Sequence, residues 1–117
     1  MNSYKELTVW QKSVELVIII YKLTEQFPKS EIFGLTAQIK RSAISIPSNI
    51  AEGFARRSRL EYLHFIRIAF GSGAELETQI FIAKKLKFIN ETDYNQLGSL
   101  LTEIMKMLNK LISALKP

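Results

Sequence analysis

Residues 45–65, SIPSNIAEGFARRSRLEYLHF, decide how the chain is interpreted. The first half carries apolar residues at helical spacing, and the second half opens a new helix just after a cluster of arginines. Ser58 followed by Glu61 fits a capping box, in which the serine oxygen accepts a backbone N–H and the glutamate reaches back to the N–H of the cap residue. This stretch therefore predicts a corner between two helices.

The composition predicts one compact domain covering residues 1–117. Hydrophobic residues make up 47% and charged residues 23%, which excludes both a disordered chain and a membrane protein. The longest apolar run, Leu16 to Tyr21, is far shorter than the roughly 20 residues that span a bilayer, and the N-terminus lacks the pattern of a secretion signal. The absence of cysteine excludes disulfides and thiolate zinc sites, and it agrees with a cytoplasmic protein.

The first helix is predicted from Leu7 to Gln26, because the proline at position 28 disfavours helix in the residue before it. The run from Leu16 to Tyr21 also fits a buried strand, but its flanks keep helical spacing and no second strand-like run is present to pair with it. As a helix, this stretch is apolar nearly all round. We therefore expect it to be buried on two sides.

The second helix is predicted to start at Ser30 as its N-cap, with Pro47 inside it. One kinked helix is favoured over two helices at Pro47, because the apolar rhythm continues through the proline. The third helix is predicted from Arg59 to Lys87. The residues expected to point inward are Phe33, Leu35, Ile39, Ala43, Ile46, Ile50 and Phe54 on the second helix and Leu63, Ile66, Phe70, Ile80, Ala83 and Leu86 on the third.

Glycines at positions 53, 71 and 73 are read as structural. Gly53 weakens the last turns before the arginine-rich corner. Gly71 and Gly73 resemble part of a phosphate-binding loop, but no strand precedes them and the helix continues on both sides. Close helix packing is the better explanation, with Ala69 one turn before Gly73.

The fourth helix follows a polar turn at Asn90 to Asp93 and has the cleanest period in the chain. Its seam consists of Tyr94, Leu97, Leu101, Ile104, Leu108, Leu111 and Leu115. Further apolar residues widen this face to about half the circumference, which predicts a second contact surface on the fourth helix. With no strands and short connections, the chain is predicted to be all-α, an up-down-up-down four-helix bundle.

Several short motifs resemble the four-helix bundle proteins encoded in intervening sequences of bacterial 23S ribosomal RNA genes. They are Tyr4 to Gln11, Ser45 to Gly53, Arg57-Ser58, Glu61-Tyr62, Ile68-Ala69, Gly71-Ser72 and Glu75-Leu76. The resemblance implies a left-handed bundle that assembles into a ring, typically a homopentamer. It also implies kinship with the basic accessory protein of diversity-generating retroelements, which works with a reverse transcriptase and nucleic acid. The chain departs from the family pattern at Gly73, where we expect leucine or a similar residue.

All five arginines of the chain lie within 27 positions, and up-down topology places the arginine-rich corner beside both chain termini. The candidate phosphate-binding residues are Lys12, Arg41, Arg56, Arg57, Arg59 and Arg67. Arginine suits this role because its planar fork grips phosphate with two hydrogen bonds. The alternative is that these side chains form a solvated face or bridge subunits through Glu52 and Glu61.

Other polar residues are expected to have structural roles. Asn49, Glu52, Glu75 and Gln79 lie on or near apolar faces, and we expect an ion-pair network with Arg41 or Arg67, a ligand site being the alternative. Trp10 and Tyr62 are aromatic candidates for base stacking, although Trp10 fits a core or interface anchor better.

The chain offers no nucleophile, metal site or cofactor motif. Glu61 and His64 have the spacing of a carboxylate-bridged metal site, but such a site needs two such pairs and His64 is the only histidine. We therefore expect a non-enzymatic, homo-oligomeric bundle that binds RNA or DNA through its arginine-rich end and does not engage membranes. The alternative is a scaffold that contacts only proteins, such as a polymerase.

Overall fold

The computed structural model describes residues 2–117, which form four long helices and two short 3₁₀ turns. The helices are α1 (Thr8–Thr24), α2 (Leu35–Ala55), α3 (Arg59–Lys85) and α4 (Glu91–Leu115), and the 3₁₀ turns are Tyr4–Glu6 and Lys29–Glu31. No residue in the described range lies in a strand, which confirms the all-α prediction and the helical interpretation of the apolar run in α1.

Each helix packs against the next one along the chain, and α1 also packs against α4. Contacts between α2 and α3 show that they run antiparallel, because Ser45 meets Ser72 whereas Gly53 meets Phe65. The bundle measures 43 × 24 × 21 Å, and the 27 residues of α3 nearly span its long axis at 1.5 Å per residue. The molecule is therefore a closed four-helix bundle with short connections.

The start of α2 was predicted wrongly. Ser30 is not its N-cap, because Lys29–Glu31 forms a 3₁₀ turn and α2 begins only at Leu35. A Glu31 carboxylate oxygen accepts the backbone N–H of Leu35 at 3.2 Å, so the capping side chain comes from the neighbour of the predicted serine. Phe33, expected in the core, precedes the helix and is 97% exposed.

The interior of α2 and the starts of α3 and α4 agree with the prediction. Pro47 lies inside one helix, α2, as predicted in preference to two separate helices, and it is buried. Ser58 Oγ accepts the N–H of Glu61 at 3.3 Å, and Asn90 Oδ1 accepts the N–H of Asp93 at 2.7 Å. The second half of the capping box does not form, since the Glu61 carboxylate binds Arg56 instead.

The end of α3 lies two residues before the predicted one. Lys87 adopts a left-handed conformation with φ of 65°, and the N–H of Phe88 returns to the carbonyl of Ala83 at 2.9 Å. This is the hydrogen-bond pattern with which many helices end. Leu86, predicted to be buried, is the C-cap residue of α3 and is 53% exposed.

The broad apolar face of α4 is used inside the protomer. None of its large apolar side chains is exposed, and those beside the seam pack partly buried against the core. Met105 lies directly over Gly73 of α3, where a Cβ would collide with its sulfur. Packing within the protomer therefore accounts for much of the width of this apolar face, whereas α1 leaves Ile18 and Tyr21 exposed.

Within residues 2–117, no helix combines the length and the apolar character needed to cross a bilayer.

Candidate nucleic-acid interface

The N-terminal segment, the α2–α3 corner and the end of α4 meet at one end of the bundle. The guanidinium of Arg59 donates to the carbonyls of Ala114 and Leu115, which joins the start of α3 to the end of α4. Tyr4 lines the same cleft as Phe54 and Arg57, which places the N-terminal segment beside the corner. We call this part, comprising residues 2–12, 52–61 and 103–117, the basic end.

The basic end carries most of the net charge of the chain. It holds eight cationic side chains, Lys5, Lys12, Arg56, Arg57, Arg59, Lys106, Lys110 and Lys116, against four carboxylates, Glu6, Glu52, Glu61 and Glu103. The difference of four accounts for most of the formal charge of +5. A positive potential therefore concentrates at this end.

Arg56 is held by carboxylates of its own chain. Its guanidinium lies 2.9 Å from Glu52 and 3.3 Å from Glu61, and it also covers the ring of Phe65 at 5.0 Å from the centroid. The hydrogen bond to Glu52 raises the pKa of Arg56 above its already high ordinary value. Glu52 and Glu61 thus bind an arginine, as the alternative interpretation supposed, but within the protomer.

Lys12 is paired in a similar way. Its ammonium lies 3.0 Å from the Glu103 carboxylate on α4, and this hydrogen bond raises the pKa of Lys12. The pair joins α1 to α4, the two helices that close the bundle. The ammonium of Lys12 is therefore already engaged by a carboxylate.

Arg57 differs from its neighbours. It is exposed, and no carboxylate oxygen lies within 4.0 Å of its guanidinium in residues 2–117. Its backbone is left-handed, with φ of 59°, at the residue that follows the C-cap of α2. Of the three corner arginines, Arg57 has its guanidinium available to a ligand.

Arg41 and Arg67 lie away from the corner. Arg41 precedes Arg56 by fifteen residues on α2, roughly 22 Å along the axis. Both side chains are exposed, and neither forms a salt bridge within the described part of the chain. The expected ion-pair network of Glu52 or Glu75 with Arg41 or Arg67 is therefore wrong.

Hydroxyl and amide groups make the polar seam between α2 and α3 instead. Ser45 and Ser72 share a hydrogen bond of 2.7 Å, Asn49 donates to Ser45, and Ser42 donates to Glu75 at 3.3 Å. Gln79 lies in line with this seam, and its buried carbonyl oxygen has no hydrogen-bond partner among residues 2–117. The Ser45–Ser72 and Ser42–Glu75 contacts link α2 to α3, and the small size of serine fits this structural role.

The glycines and aromatic residues have divided roles. Gly53 packs against Tyr62 and Phe65, and Gly73 packs against Met105. A Cβ at Gly71 would have no contact within 4 Å among residues 2–117. Close helix packing was therefore predicted correctly for Gly73 but wrongly for Gly71. Trp10 is half-buried against the core with its ring 5.3 Å from that of Tyr4, as expected of an anchor.

Tyr62 is half-buried on α3, and desolvation raises the pKa of its phenol. Its ring lies edge-on to Phe54 at a centroid separation of 5.8 Å. Tyr4 and Phe54 were not predicted as members of this site. Both lie close to cationic residues in the sequence, Tyr4 next to Lys5 and Phe54 two residues before Arg56.

The Glu61–His64 pair does not form a metal centre in the described residues. Glu61 is occupied by Arg56, His64 is exposed beside Phe65, and no cluster of three or more candidate ligands is found within residues 2–117.

Comparison with known proteins identifies the family. The chain is similar to a crystallised protein of unknown function from the S23 ribosomal protein family of Bacteroides thetaiotaomicron, with 29% identity, a TM-score of 0.81, and coverage of 90% of this chain and 98% of the other. No curated protein gives a significant match. Residues 5–110 match the family described as 23S rRNA-intervening sequence protein, to which the chain therefore belongs.

Proposed function

We propose that the protein is a non-enzymatic, ring-forming helical bundle that binds structured nucleic acid, with ribosomal RNA as the first candidate, through its basic end. The observation that carries the proposal is the placement of eight cations against four carboxylates at this end. Phosphate contacts of this kind supply sequence-independent affinity by releasing counterions. The family description points to ribosomal RNA as the first ligand to test.

Assembly of several copies is supported by two exposed apolar faces. Ile18 and Tyr21 of α1 and Ile44 of α2 are exposed. The ammonium of Lys40 contacts the Tyr21 ring at 4.6 Å, and Ile44 lies one turn from Lys40 on α2, which places the three apolar side chains near one another. We call this the α1–α2 face. Because the second face lies on a different helix, the two suit a head-to-tail contact, the type that closes into rings.

The second face belongs to α3. Ile68 and Ile82 of α3 and its C-cap residue Leu86 are all exposed, and their spacing of fourteen and four residues places them along one side of the helix. A pentamer would bring five basic ends together and multiply the phosphate-binding surface. Sedimentation velocity at micromolar concentration tests assembly: the variant Ile18→Gln with Ile44→Gln should dissociate, while Phe33→Gln should not. A monomeric wild type contradicts the ring.

Nucleic-acid binding is tested by salt titration with a fragment of 23S ribosomal RNA. Replacing the exposed cations Lys5, Arg57, Lys110 and Lys116 by glutamine should weaken binding and reduce the dependence of log K on log salt. The expected reduction is about 0.7 to 0.9 per lost phosphate contact. These substitutions leave the Arg56 and Arg59 contacts intact, so the fold is preserved.

The matched control removes four cations from the other end of the bundle, Lys22, Lys29, Lys85 and Lys87. This control lowers the net charge by the same four units as the basic-end variant, but it should retain most of the affinity for the RNA fragment. Binding that ignores salt, or equal losses in the two variants, contradicts the proposed interface.

A protein-binding scaffold is the second candidate, favoured by the segment between α1 and α2. Phe33 is 97% exposed and Ile32 is 50% exposed, at the end opposite to the basic end. Solvent-exposed aromatic side chains of this kind are typical anchors of protein interfaces. The test is an association with a purified partner, such as a reverse transcriptase, that survives nuclease treatment. The scaffold function is preferred if Phe33→Gln abolishes this association and the four basic-end substitutions leave it unchanged.

A further inference from the structure

Two clefts lie side by side at the basic end, separated by Phe54 and Arg57. The first has a volume of about 200 Å³ and is also lined by Ser3 and Tyr4. The second has a volume of about 280 Å³ and is also lined by Tyr62. We call them the N-terminal cleft and the α3 cleft. Each is smaller than the roughly 300–1,000 Å³ of pockets for drug-sized molecules.

Each cleft is lined by a tyrosine whose ring packs against a second aromatic ring. Tyr4 in the N-terminal cleft packs edge-on against Trp10, and Tyr62 in the α3 cleft packs edge-on against Phe54. Such packing fixes the orientation of a ring before any ligand arrives. Rings held in this way, next to cations, are what proteins use to stack the bases of single-stranded nucleic acid.

Arg57 places its charge between the two clefts. The left-handed backbone at this residue costs a non-glycine side chain roughly 1–2 kcal/mol, and glycine is the usual residue just past a helix C-terminus. Lys87 has the same conformation at the other end of α3, so the backbone alone does not mark a site. What distinguishes Arg57 is a cleft on either side and no carboxylate partner in the described residues.

We infer that the two clefts bind two neighbouring unpaired bases of a nucleic acid strand, splayed to either side of Phe54, with the phosphate between them on Arg57. This inference rests on the proposed function and adds to it the class of ligand, namely unpaired nucleotides of a loop or bulge. Stacked, paired bases inside a duplex cannot enter separate clefts. Proteins commonly recognise unpaired RNA bases by stacking them on aromatic side chains.

The experiment compares a single-stranded RNA oligonucleotide with a blunt duplex of the same sequence. Binding is followed by fluorescence anisotropy, and 2-aminopurine in the single strand reports stacking by the loss of its fluorescence. The wild type should bind the single strand at least tenfold more tightly than the duplex and quench the probe.

Two variants remove parts of the site, and each has a matched control. Tyr4→Leu should lower affinity for the single strand by about fivefold or more, since stacking on one ring contributes that much, and should leave duplex binding unchanged. Phe81→Leu is its control, because Phe81 is an exposed ring with Lys85 over it at 5.4 Å, outside both clefts. Arg57→Gly should weaken binding while relieving the strained backbone, and Lys87→Gly should relieve strain with no effect on binding.

The outcomes separate this inference from the proposed function. If the duplex binds as tightly as the single strand, with strong salt dependence and no effect of Tyr4→Leu, the inference fails and the proposed function stands. If neither nucleic acid binds at low salt, the proposed function fails and the inference with it. Selective loss of single-strand binding in both cleft variants, with both controls unchanged, supports the inference.

Discussion

Alanine substitution should stabilise the bundle at one glycine and should not stabilise it at another. A Cβ added at Gly71 would have no contact within 4 Å in the described part of the chain, residues 2–117. A Cβ added at Gly53 would lie 2.7 Å from the Phe65 Cβ, 3.2 Å from Tyr62 Cδ1 and 3.3 Å from the Tyr62 carbonyl oxygen. Both positions are helical, so both gain about 1 kcal/mol from the better helix propensity of alanine.

The difference between the two variants isolates the cost of the collision at Gly53. The Phe65 Cβ and the Tyr62 carbonyl cannot move by a change of rotamer, so α2 and α3 must separate. Overpacking of this kind typically costs about 1–3 kcal/mol. We therefore expect Gly71→Ala to exceed Gly53→Ala in unfolding free energy by about 1–3 kcal/mol. In a domain of this size, the corresponding difference in Tm is roughly 4–12 °C.

Urea unfolding followed by circular dichroism at 222 nm measures this difference, at one protein concentration because assembly adds to apparent stability. Gly73→Ala provides an intermediate case, since the obstacle there is the sulfur of the flexible Met105 side chain, which can rotate away. If Gly53→Ala is as stable as Gly71→Ala, the close approach of α2 to α3 at the corner is not as described.

Two further predictions concern the basic end and the closure of the bundle. Arg59→Ala should destabilise the protein by roughly 1 kcal/mol, because it removes charge-assisted hydrogen bonds to the last carbonyls of α4. Hydrogen exchange should show faster opening that is confined to the final turn of α4. Unchanged exchange in this turn contradicts the contact. Thermal stability should fall as pH rises above about 10, since desolvation raises the pKa of Tyr62 and the hydrogen bond to Glu103 raises that of Lys12. Both folded-state pKa values exceed the unfolded ones, so the stabilisation is complete below the unfolded pKa and is lost as pH passes the folded pKa. Between pH 8 and 11, Tm should fall less steeply in Tyr62→Phe and in Lys12→Gln than in the wild type. Equal slopes in the wild type and both variants contradict the assignment.

Local signals in the sequence were sufficient to predict the helices and their order. The caps at Ser58 and Asn90 are each made by a side chain bonding three residues ahead, so short-range sequence determines them. The start of α2 was missed because residue type alone favours Ser30 as the N-cap. Ser30 has the better cap side chain, but the 3₁₀ turn after Pro28 delays the helix and leaves Glu31 in position to cap Leu35.

The roles of the arginines depended on contacts of two kinds. The Glu52–Arg56 pair is an i,i+4 contact on one helix, and its spacing was visible in the sequence. The hydrogen bonds from Arg59 to the α4 carbonyls join residues that are separated by 55 and 56 positions in the sequence. These bonds follow only from the tertiary structure. Counting arginines along the chain therefore overestimated the number available to a ligand at the corner.

The pairing of Arg56 and Arg59 changes how the basic end should be tested, and it does not remove the positive potential. A charge contributes to the long-range field whether or not it has a partner, so four carboxylates offset four of the eight cations and the rest of the field remains. Direct phosphate contacts, however, require a guanidinium or ammonium that is not already engaged. Reversing Arg56, Arg57 and Arg59 together would break the corner and the α3–α4 joint along with any binding site. Substitution of Lys5, Arg57, Lys110 and Lys116 removes exposed charge alone, so the salt dependence of this variant reports phosphate contacts and not the loss of the fold.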